Sequence, residues 1–308
     1  MNRIARLAFA ALLAAPVTLL AQPAATPPTP LQNLKASIER IIGATGADWG
    51  IYMKSLETGE EIAINADRPM ETASTIKLTL LTEVFEQIKA GKLKLTDQYT
   101  VTKADQVGGT GIIQFLDVGD TLTIKDLATL MVIVSDNTAT DVLFRAVGGP
   151  EVVARRMQQM GFKETRPQWT VHGYFAALTA APDRLKFNSG PRNRFGQTTA
   201  REMGRLLELM ERGQLVDKAS SDMMLQIMRR QLYRTRIPRY LDGRWQIPHK
   251  TGELPPYVAD DVGVLERPGH RIVLTVLTDQ QAGQGSYEML EAAIGRVAQQ
   301  VAEYYEYR

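Results

Sequence analysis

The sequence predicts a two-domain α/β fold of the α+β type, in which an inserted all-helical domain interrupts an antiparallel sheet domain with flanking helices. Two observations support this prediction. Runs that alternate apolar and polar side chains, as strands do, occur near both ends of the 308-residue chain. Between them the apolar residues recur with the period of helices. The two ends are therefore expected to share one sheet, and the crevice between the domains is the expected ligand site.

The N-terminus has the layout of a secretory signal. Arg3 and Arg6 precede an apolar run over residues 7–20, and Ala21 ends the segment where we expect cleavage. The run is too short and too close to the terminus for a membrane anchor, and a chain without cysteine cannot carry a lipid thioether. We expect residues 1–21 to be a signal peptide for export to the periplasm or the medium, and residues 22–30 to be a linker.

Charge and composition exclude several classes of protein. The signal contributes two of the 36 basic residues and none of the 34 acidic ones, so the mature chain has a formal charge of zero. Nucleic acid is not an expected partner. Without cysteine there is no cysteine catalysis and no thiolate metal site, and no His-x-x-x-His or clustered carboxylate pattern suggests another metal. We therefore expect no cofactor.

The sheet domain is expected to comprise residues 31–71 and 240–308. The first part has the pattern of a helix followed by a hairpin, and the second part that of two strands followed by a helix. The predicted elements are a helix over Leu31–Ile42, strands over Trp49–Ser55, Glu61–Asn65, Tyr257–Leu265 and Arg271–Thr278, and a closing helix over Tyr287–Tyr305.

Residues 72–239 are expected to form the inserted helical domain. Thr72, Thr123 and Thr199 are the predicted N-caps of three helices, and Glu202 would complete a capping box with Thr199. Gly149-Pro150 is expected to open a further helix. Glycines are expected to end three of the helices, at Gly91, Gly161 and Gly213.

Three short motifs occur in one order along the chain: Ser74-Thr75-Ile76-Lys77, Ser135-Asp136-Asn137 and Lys250-Thr251-Gly252. Taken singly, each is most simply explained as a capped helix start, a pair of capping residues and a strand edge. Together they supply a nucleophilic hydroxyl, two ammonium groups, a second hydroxyl and an amide. That set is what acyl transfer through a serine ester requires.

The first motif is placed where a helix can assist it. A helix from Thr72 to about Ala90 would put Ser74 in its first turn, where unpaired N–H groups favour an oxyanion. Lys77 lies three residues further on and shares the face of Ser74. To act as a base, Lys77 needs a pKa lowered by burial or by a neighbouring cation, and Lys250 would be such a neighbour.

The order and spacing of the motifs resemble the class A β-lactamases and their penicillin-binding relatives. The flanking segments share this resemblance: Met70-Glu71-Thr72-Ala73 before Ser74, residues 127–139 around the second motif, Gly148-Gly149-Pro150, Thr198-Thr199 and Arg236-Ile237. The resemblance covers essentially the whole mature chain. It implies a β-lactamase-like two-domain fold with the active site in the groove between the domains, and a monomer.

The resemblance also implies a role for each matched catalytic position. Ser74 would be the acylated nucleophile, Lys77 its partner in proton transfer, and Ser135 the relay to the leaving nitrogen. The backbone N–H groups of Ser74 and Glu253 would form the oxyanion hole.

A second set of positions would bind the substrate. Asn137 would hold the side-chain amide of the substrate, and Lys250 and Thr251 its carboxylate, with Gly252 completing this motif. Arg236 matches a position where some members place a carboxylate-binding arginine. It is equally explained as one more basic residue in the cluster of residues 229–244.

The chain departs from class A at the step that hydrolyses the acyl-enzyme. The omega-loop glutamate of that class would fall at about Val171, and no equivalent pattern occurs over residues 163–197. Gln197 also stands where a bracing aspartate is expected. His172 is the first candidate for a replacement base, ahead of Glu164 and Asp183.

Three functions share the acylation residues and differ in the second half-reaction. The favoured one is an exported hydrolase that acts on β-lactams with an unconventional deacylation step. The alternatives are a D,D-peptidase or esterase acting on another acyl donor, and a non-hydrolytic binder of β-lactams or peptidoglycan peptides that stays acylated.

Overall fold

The computed structural model describes residues 29–180, 194–280 and 285–306. The predicted signal peptide and nearly all of the predicted linker lie outside these ranges, and so does Asp183. The helices are α1 Pro30–Gly43, α2 Lys77–Lys89, α3 Ile124–Ile133, α4 Asn137–Val147, α5 Pro150–Gln159, α6 Val171–Ala180, α7 Ala200–Glu211, α8 Lys218–Met228 and α9 Tyr287–Glu306. The strands are β1 Asp48–Ser55, β2 Glu61–Ile64, β3 Met70–Glu71, β4 Gln98–Thr100, β5 Thr121–Thr123, β6 Arg166–Pro167, β7 Gly196–Thr198, β8 His249–Leu254, β9 Val258–Arg267 and β10 His270–Asp279.

The predicted union of the two chain ends in one sheet is confirmed. A five-stranded antiparallel sheet has the order β2-β1-β10-β9-β8. Strand β1 pairs along its whole length with β10, from Asp48 opposite Asp279 to Ser55 opposite Ile272. Strand β8, which carries the third motif, is at the edge of the described sheet and faces the inserted part of the chain.

The sheet is covered on both faces. Helices α1 and α9 pack on one face, where Ile38 and Val297 share an apolar core with Ile51 and Leu274. Helix α7 packs on the other face and joins it to the core of the helical domain. This three-layer arrangement confirms the predicted α/β class with an inserted helical part, and the boundaries 31–71, 72–239 and 240–308 stay predictions.

Short strands that the sequence analysis did not predict occur in the inserted part and, as β3, directly before it. Strands β3, β7 and β6 form a small antiparallel sheet, and β4 pairs with β5. Each of these strands has two or three residues. So short a segment shows no alternation of apolar and polar residues, so the pattern could not reveal it.

The predicted N-caps at Thr123 and Thr199 are confirmed, whereas the predicted N-cap at Thr72 and the capping box of Thr199 with Glu202 are wrong. Thr123 and Thr199 accept the expected N–H groups of Asp126 and Glu202. The Glu202 carboxylate does not turn back to Thr199, however, because it accepts N–H groups from residues 163 and 164 instead. Thr72 makes no cap hydrogen bond, because the chain enters α2 through a tight 3-10 turn over Ala73–Ile76.

The predicted helix-ending glycines are confirmed. Gly91, Gly161 and Gly213 have φ angles of +71°, +83° and +67°, a region in which a side chain would be strained. Gly149-Pro150 opens α5 as expected. None of the helices in the described ranges is both long enough and apolar enough to cross a bilayer.

Candidate active site

The predicted nucleophile lies in the tight turn that precedes α2. Ser74 belongs to the 3-10 turn and is 9% exposed, and its neighbour Ala73 has a φ of +40°. The carboxylate of Glu71 accepts the N–H groups of Thr72 and Ala73 at 3.0 and 2.9 Å. These bonds satisfy two of the donors that a helix start leaves unpaired, while the Ser74 hydroxyl faces an open cavity.

Strand β8 lies directly against this turn. A Cβ atom on Gly252 would stand 2.5 Å from the carbonyl oxygen of Thr72 and 3.1 Å from the backbone nitrogen of Thr75. Only a residue without a side chain permits this approach. As a result Glu253, the next residue along β8, and Ser74 line the same cavity.

Lys77 is fully buried at the start of α2. Its Nζ donates to Ser135 O at 2.7 Å, Ser135 Oγ at 3.1 Å and Asn137 Oδ1 at 2.9 Å. Burial, and then the charge of Lys250, hold the pKa of Lys77 well below its ordinary value, although nearby carboxylates act in the opposite direction. An amine in this environment loses its proton more readily than an ordinary lysine, as a proton acceptor must.

The hydroxyl of Ser135 joins the first and third motifs. Its Oγ accepts from Lys77 Nζ and from Lys250 Nζ, each at 3.1 Å. Burial lowers the pKa of Lys250 to about 7. The three motifs, which are 61 and 115 residues apart along the chain, therefore meet at one oxygen atom.

The remaining residues of the second motif shape the turn at the start of α4. Asp136 accepts the N–H group of Ala139, as an N-cap does, and also those of Ile112 and Ile113. It therefore ties the neighbouring loop to the helix. Asn137 lines the cavity, and its side chain bonds to Lys77 and to the carbonyl oxygen of Gly108.

The two predicted carboxylate-binding residues lie side by side on β8. Lys250 donates to Ser135 Oγ and to Thr251 O. The hydroxyl of Thr251 is buried and has no hydrogen-bond partner within the described residues. A buried hydroxyl normally has a partner, so Thr251 is suited to bind a polar group that enters the groove.

Arg236 holds the protein frame together rather than pointing into the cavity. It is 2% exposed, and its guanidinium donates to the carbonyl oxygens of Gly252 and Asp260 and to the carboxylates of Glu253 and Glu291. These partners already engage its N–H groups. The structure therefore gives no support to the predicted contact of Arg236 with a substrate carboxylate.

The cavity beside Ser74 has a volume of about 320 Å³, and its walls are largely apolar. Its aromatic and aliphatic lining residues are Val171, Tyr174, Phe175, Phe195, Leu254 and Pro255. Among the described lining residues, Glu253 carries the one carboxylate, which pairs with Arg236 at 2.9 Å. The cavity has room for a small acyl group.

The structure places the three candidate deacylation bases away from this cavity or outside its ranges. His172 lines a separate cavity of about 470 Å³ with Asp105 and Arg145, whereas the preceding Val171 lines the cavity of Ser74. Glu164 accepts from the side chain of Gln197 and lines neither cavity. Asp183 lies outside the described residues.

Sequence reasoning missed Glu71 and the aromatic wall. Glu71 was noticed only as part of the segment before the nucleophile, where an acid is unremarkable near a helix start. Two of its four bonds to backbone N–H groups, those from Phe195 and Gly196, depend on strand β7, which no sequence pattern revealed. Phe195 lines the cavity because it directly precedes that strand.

Comparisons with known proteins agree with this geometry. The model of the beta-lactamase enzyme family matches residues 33–305. Beta-lactamase PSE-4 of Pseudomonas aeruginosa is 28% identical over 135 residues, 44% of this chain and 46% of the relative, so the match spans about half the length of that protein. A beta-lactamase of Streptomyces albus G is 27% identical over 279 residues, 84% of this chain and 81% of the relative.

Solved structures share the whole fold. A beta-lactamase of Sphaerobacter thermophilus has a TM-score of 0.77 and 25% identity, covering 90% of this chain and 98% of that one. A mutant of PBP-A, determined as an acyl-enzyme complex with penicillin G, has the same TM-score and identity and covers 92% of this chain and 100% of its own.

Proposed function

Because the chain belongs to the beta-lactamase enzyme family, we propose that it is an exported serine hydrolase that opens β-lactam rings through an acyl-enzyme on Ser74. The observation that carries this proposal is the single hydroxyl of Ser135, which accepts from both Lys77 and Lys250 beside the nucleophile. Such an arrangement lets a proton move from the attacking oxygen to the leaving nitrogen without leaving the site.

Acylation would proceed in two linked proton transfers. The Ser74 Oγ attacks the lactam carbonyl carbon, and neutral Lys77 accepts its proton. The backbone N–H groups of Ser74 and Glu253 would stabilise the oxyanion. When the C–N bond breaks, Ser135 gives a proton to the nitrogen and recovers one from the lysine pair. The new bond is an ester between Ser74 and the opened ring.

The substrate would be oriented by its anionic group. Lys250 and the unpartnered hydroxyl of Thr251 are suited to bind a carboxylate on the leaving-group side. Asn137 would contact the side-chain amide of the acyl part, and the apolar wall would cover the remainder. A β-lactam or a peptidoglycan-like peptide has both groups.

Deacylation is the unconventional step of this proposal. A water molecule that attacks the ester needs a general base, and the described walls of the cavity offer aromatic and aliphatic groups and one ion-paired carboxylate. His172 is not part of the proposed machinery, because it lines the other cavity. We therefore expect the acyl-enzyme to accumulate and its hydrolysis to limit turnover.

The same apolar wall favours a second candidate. A penicillin-binding or D,D-peptidase-like protein would use the same acylation residues and would stay acylated by β-lactams. The similarity to the PBP-A mutant that was determined as an acyl-enzyme complex with penicillin G supports this alternative.

Intact-mass measurement during incubation with benzylpenicillin tests the proposal. A transient adduct followed by release of the hydrolysed product supports the hydrolase, and a permanent adduct supports the penicillin-binding alternative. Ser74→Ala is expected to abolish the adduct, while Ser37→Ala, a change in α1, is expected to retain it. Absence of an adduct on wild-type Ser74 would contradict both candidates.

Export is proposed from the first 21 residues. Expression of the full chain is expected to yield a periplasmic or secreted protein that begins at Gln22, which N-terminal sequencing of the fractionated product would detect. A product that retains residue 1 in the cytoplasm would contradict export and would leave the chemistry of Ser74 untouched.

A further inference from the structure

A buried carboxylate lies under the nucleophile turn and takes no part in the proton transfers above. Glu71 is 2% exposed. Its Oε1 accepts the N–H groups of Thr72, Ala73 and Gly196 at 3.0, 2.9 and 3.4 Å, and its Oε2 accepts that of Phe195 at 3.2 Å. One carboxylate therefore holds two segments of backbone that both border the active-site cavity.

The first segment is strained at the residue before the nucleophile. Ala73 has a φ of +40°, a region that residues with a Cβ atom rarely adopt and that persists where surrounding contacts enforce it. The bond from Ala73 N–H to Glu71 is such a contact. The conformation of Ala73 also sets the plane of the peptide bond between residues 73 and 74, which carries the Ser74 N–H group.

The second segment is the aromatic wall. Phe195 lines the cavity, and Gly196 lies so close to the nucleophile turn that a Cβ atom on it would be 2.6 Å from the side chains of Thr72 and Ile76. The backbone of Thr72 also donates to the carbonyl oxygen of Gly196. Glu71 thus accepts hydrogen bonds from both the aromatic wall and the nucleophile turn and holds the two together.

We propose that Glu71 is a positioning residue, whose carboxylate holds the strained Ala73 turn so that the Ser74 N–H group points into the oxyanion hole. This inference rests on the proposed acylation of Ser74. Nothing in it requires Glu71 to touch the substrate, because the carboxylate acts through the backbone of residues 72 and 73.

The burial of Glu71 makes this support dependent on pH. Burial raises the pKa of Glu71 to about 7, although its bonds to backbone N–H groups and the charge of Arg194 oppose the rise. Asp260 on β9 is also fully buried, and burial raises its pKa well above the ordinary value, with Asp279 adding to the rise. A protonated Glu71 can accept fewer of these backbone N–H groups and therefore holds the turn less firmly. The rate of acylation should fall as the pH falls through about 7.

The test replaces the carboxylate by its amide. In Glu71→Gln, an NH₂ group takes the place of one of the two acceptor oxygens and cannot accept a backbone N–H group, so the side chain can no longer accept from both the turn and Phe195. The first-order acylation rate constant at saturating chromogenic cephalosporin should fall about 10- to 100-fold, with little change in the dissociation constant of the non-covalent complex. The dependence of this rate constant on pH between about 6 and 8 should also become shallower than in the wild type.

Glu202→Gln is the matched control. Glu202 is likewise a carboxylate that accepts backbone N–H groups, but it supports residues 163 and 164 rather than the nucleophile turn. Its amide variant should acylate at the wild-type rate and with the wild-type pH profile. Far-UV circular dichroism and thermal melting of both variants establish that each is folded.

A rescue experiment separates positioning from a general packing role. Glycine adopts a φ of +40° without strain, so Glu71→Gln/Ala73→Gly should acylate faster than Glu71→Gln alone and supplies a second variant if the single one does not fold. Wild-type acylation by Glu71→Gln, an unchanged pH profile, or the absence of rescue would each overturn the inference. Failure of the wild type to acylate would instead refute the proposed function itself.

Discussion

Gly252→Ala is the substitution whose effect follows most directly from the geometry of the site. The added Cβ atom would stand 2.5 Å from the carbonyl oxygen of Thr72 and 3.0 Å from Cγ2 of Thr75, where ordinary contact begins at 3.4 Å. The nearest atom belongs to the backbone and cannot rotate away. Strand β8 and the nucleophile turn must therefore separate by about 0.9 Å.

The separation acts on the two halves of the oxyanion hole. Ser74 is on the turn and Glu253 follows Gly252 on β8, so the two N–H groups move apart. A misplacement of about 1 Å can cost about 100-fold in rate, and overpacking of this kind costs about 1 to 3 kcal/mol of stability. We expect acylation of Gly252→Ala to be about 100-fold slower while the protein remains folded.

The assay is stopped-flow measurement of acylation by a chromogenic cephalosporin, checked by intact mass at fixed times. Gly243→Ala is the control, because no atom lies within 4 Å of the position its Cβ would take. This control should react at the wild-type rate. If Gly252→Ala also acylates within about twofold of the wild type, the close approach of β8 to the turn does not set the oxyanion geometry and the reasoning is refuted.

Two further predictions concern the lysine pair and the cavity wall. Lys77 accepts a proton only when it is neutral, so acylation is lost as the pH falls through the pKa of Lys77. In Lys250→Met that pKa should rise because a neighbouring positive charge is gone, and the acid limb of a pH-rate profile should move to higher pH. An acid limb at the wild-type pH would contradict the electrostatic coupling of the two lysines. Val171→Glu puts a carboxylate into the cavity of Ser74 and should shorten the lifetime of the acyl-enzyme at least about 10-fold, as measured by intact-mass chases. The control His172→Glu adds the same group to the other cavity and should leave the lifetime unchanged. Equal lifetimes in both variants would show that a missing base does not limit deacylation.

The predicted acylation residues could be found in the sequence because the chemistry requires particular residue types, and these occur in short motifs in a recognisable order. Ser74 and Lys77 are three residues apart, the spacing of neighbours on a helix face, and Asp136 caps α4 as its residue type predicts. The long inner strands β1, β9 and β10 could be found because eight or ten residues of alternation are a strong signal. Each of these features depends on neighbours within a few residues.

The features that were missed depend on residues far apart along the chain. Glu202 pairs with residues 163 and 164, and Glu71 with residues 195 and 196, so no local pattern could show where either carboxylate points. Arg236 looks like one more arginine in a basic segment, yet three different elements of the fold, β8, β9 and α9, enclose it.

The sequence by itself determined the α/β class and the three motifs and predicts Ser74 as the nucleophile, because residue type, spacing and periodicity are properties of the chain alone. The tertiary structure decided how the motifs meet. It brought Lys77 and Lys250 to one hydroxyl, set Gly252 against the turn, and turned adjacent residues 171 and 172 toward different cavities. The physical reason is that burial and close packing fix which face of an element lines a site, and packing partners come from distant parts of the chain.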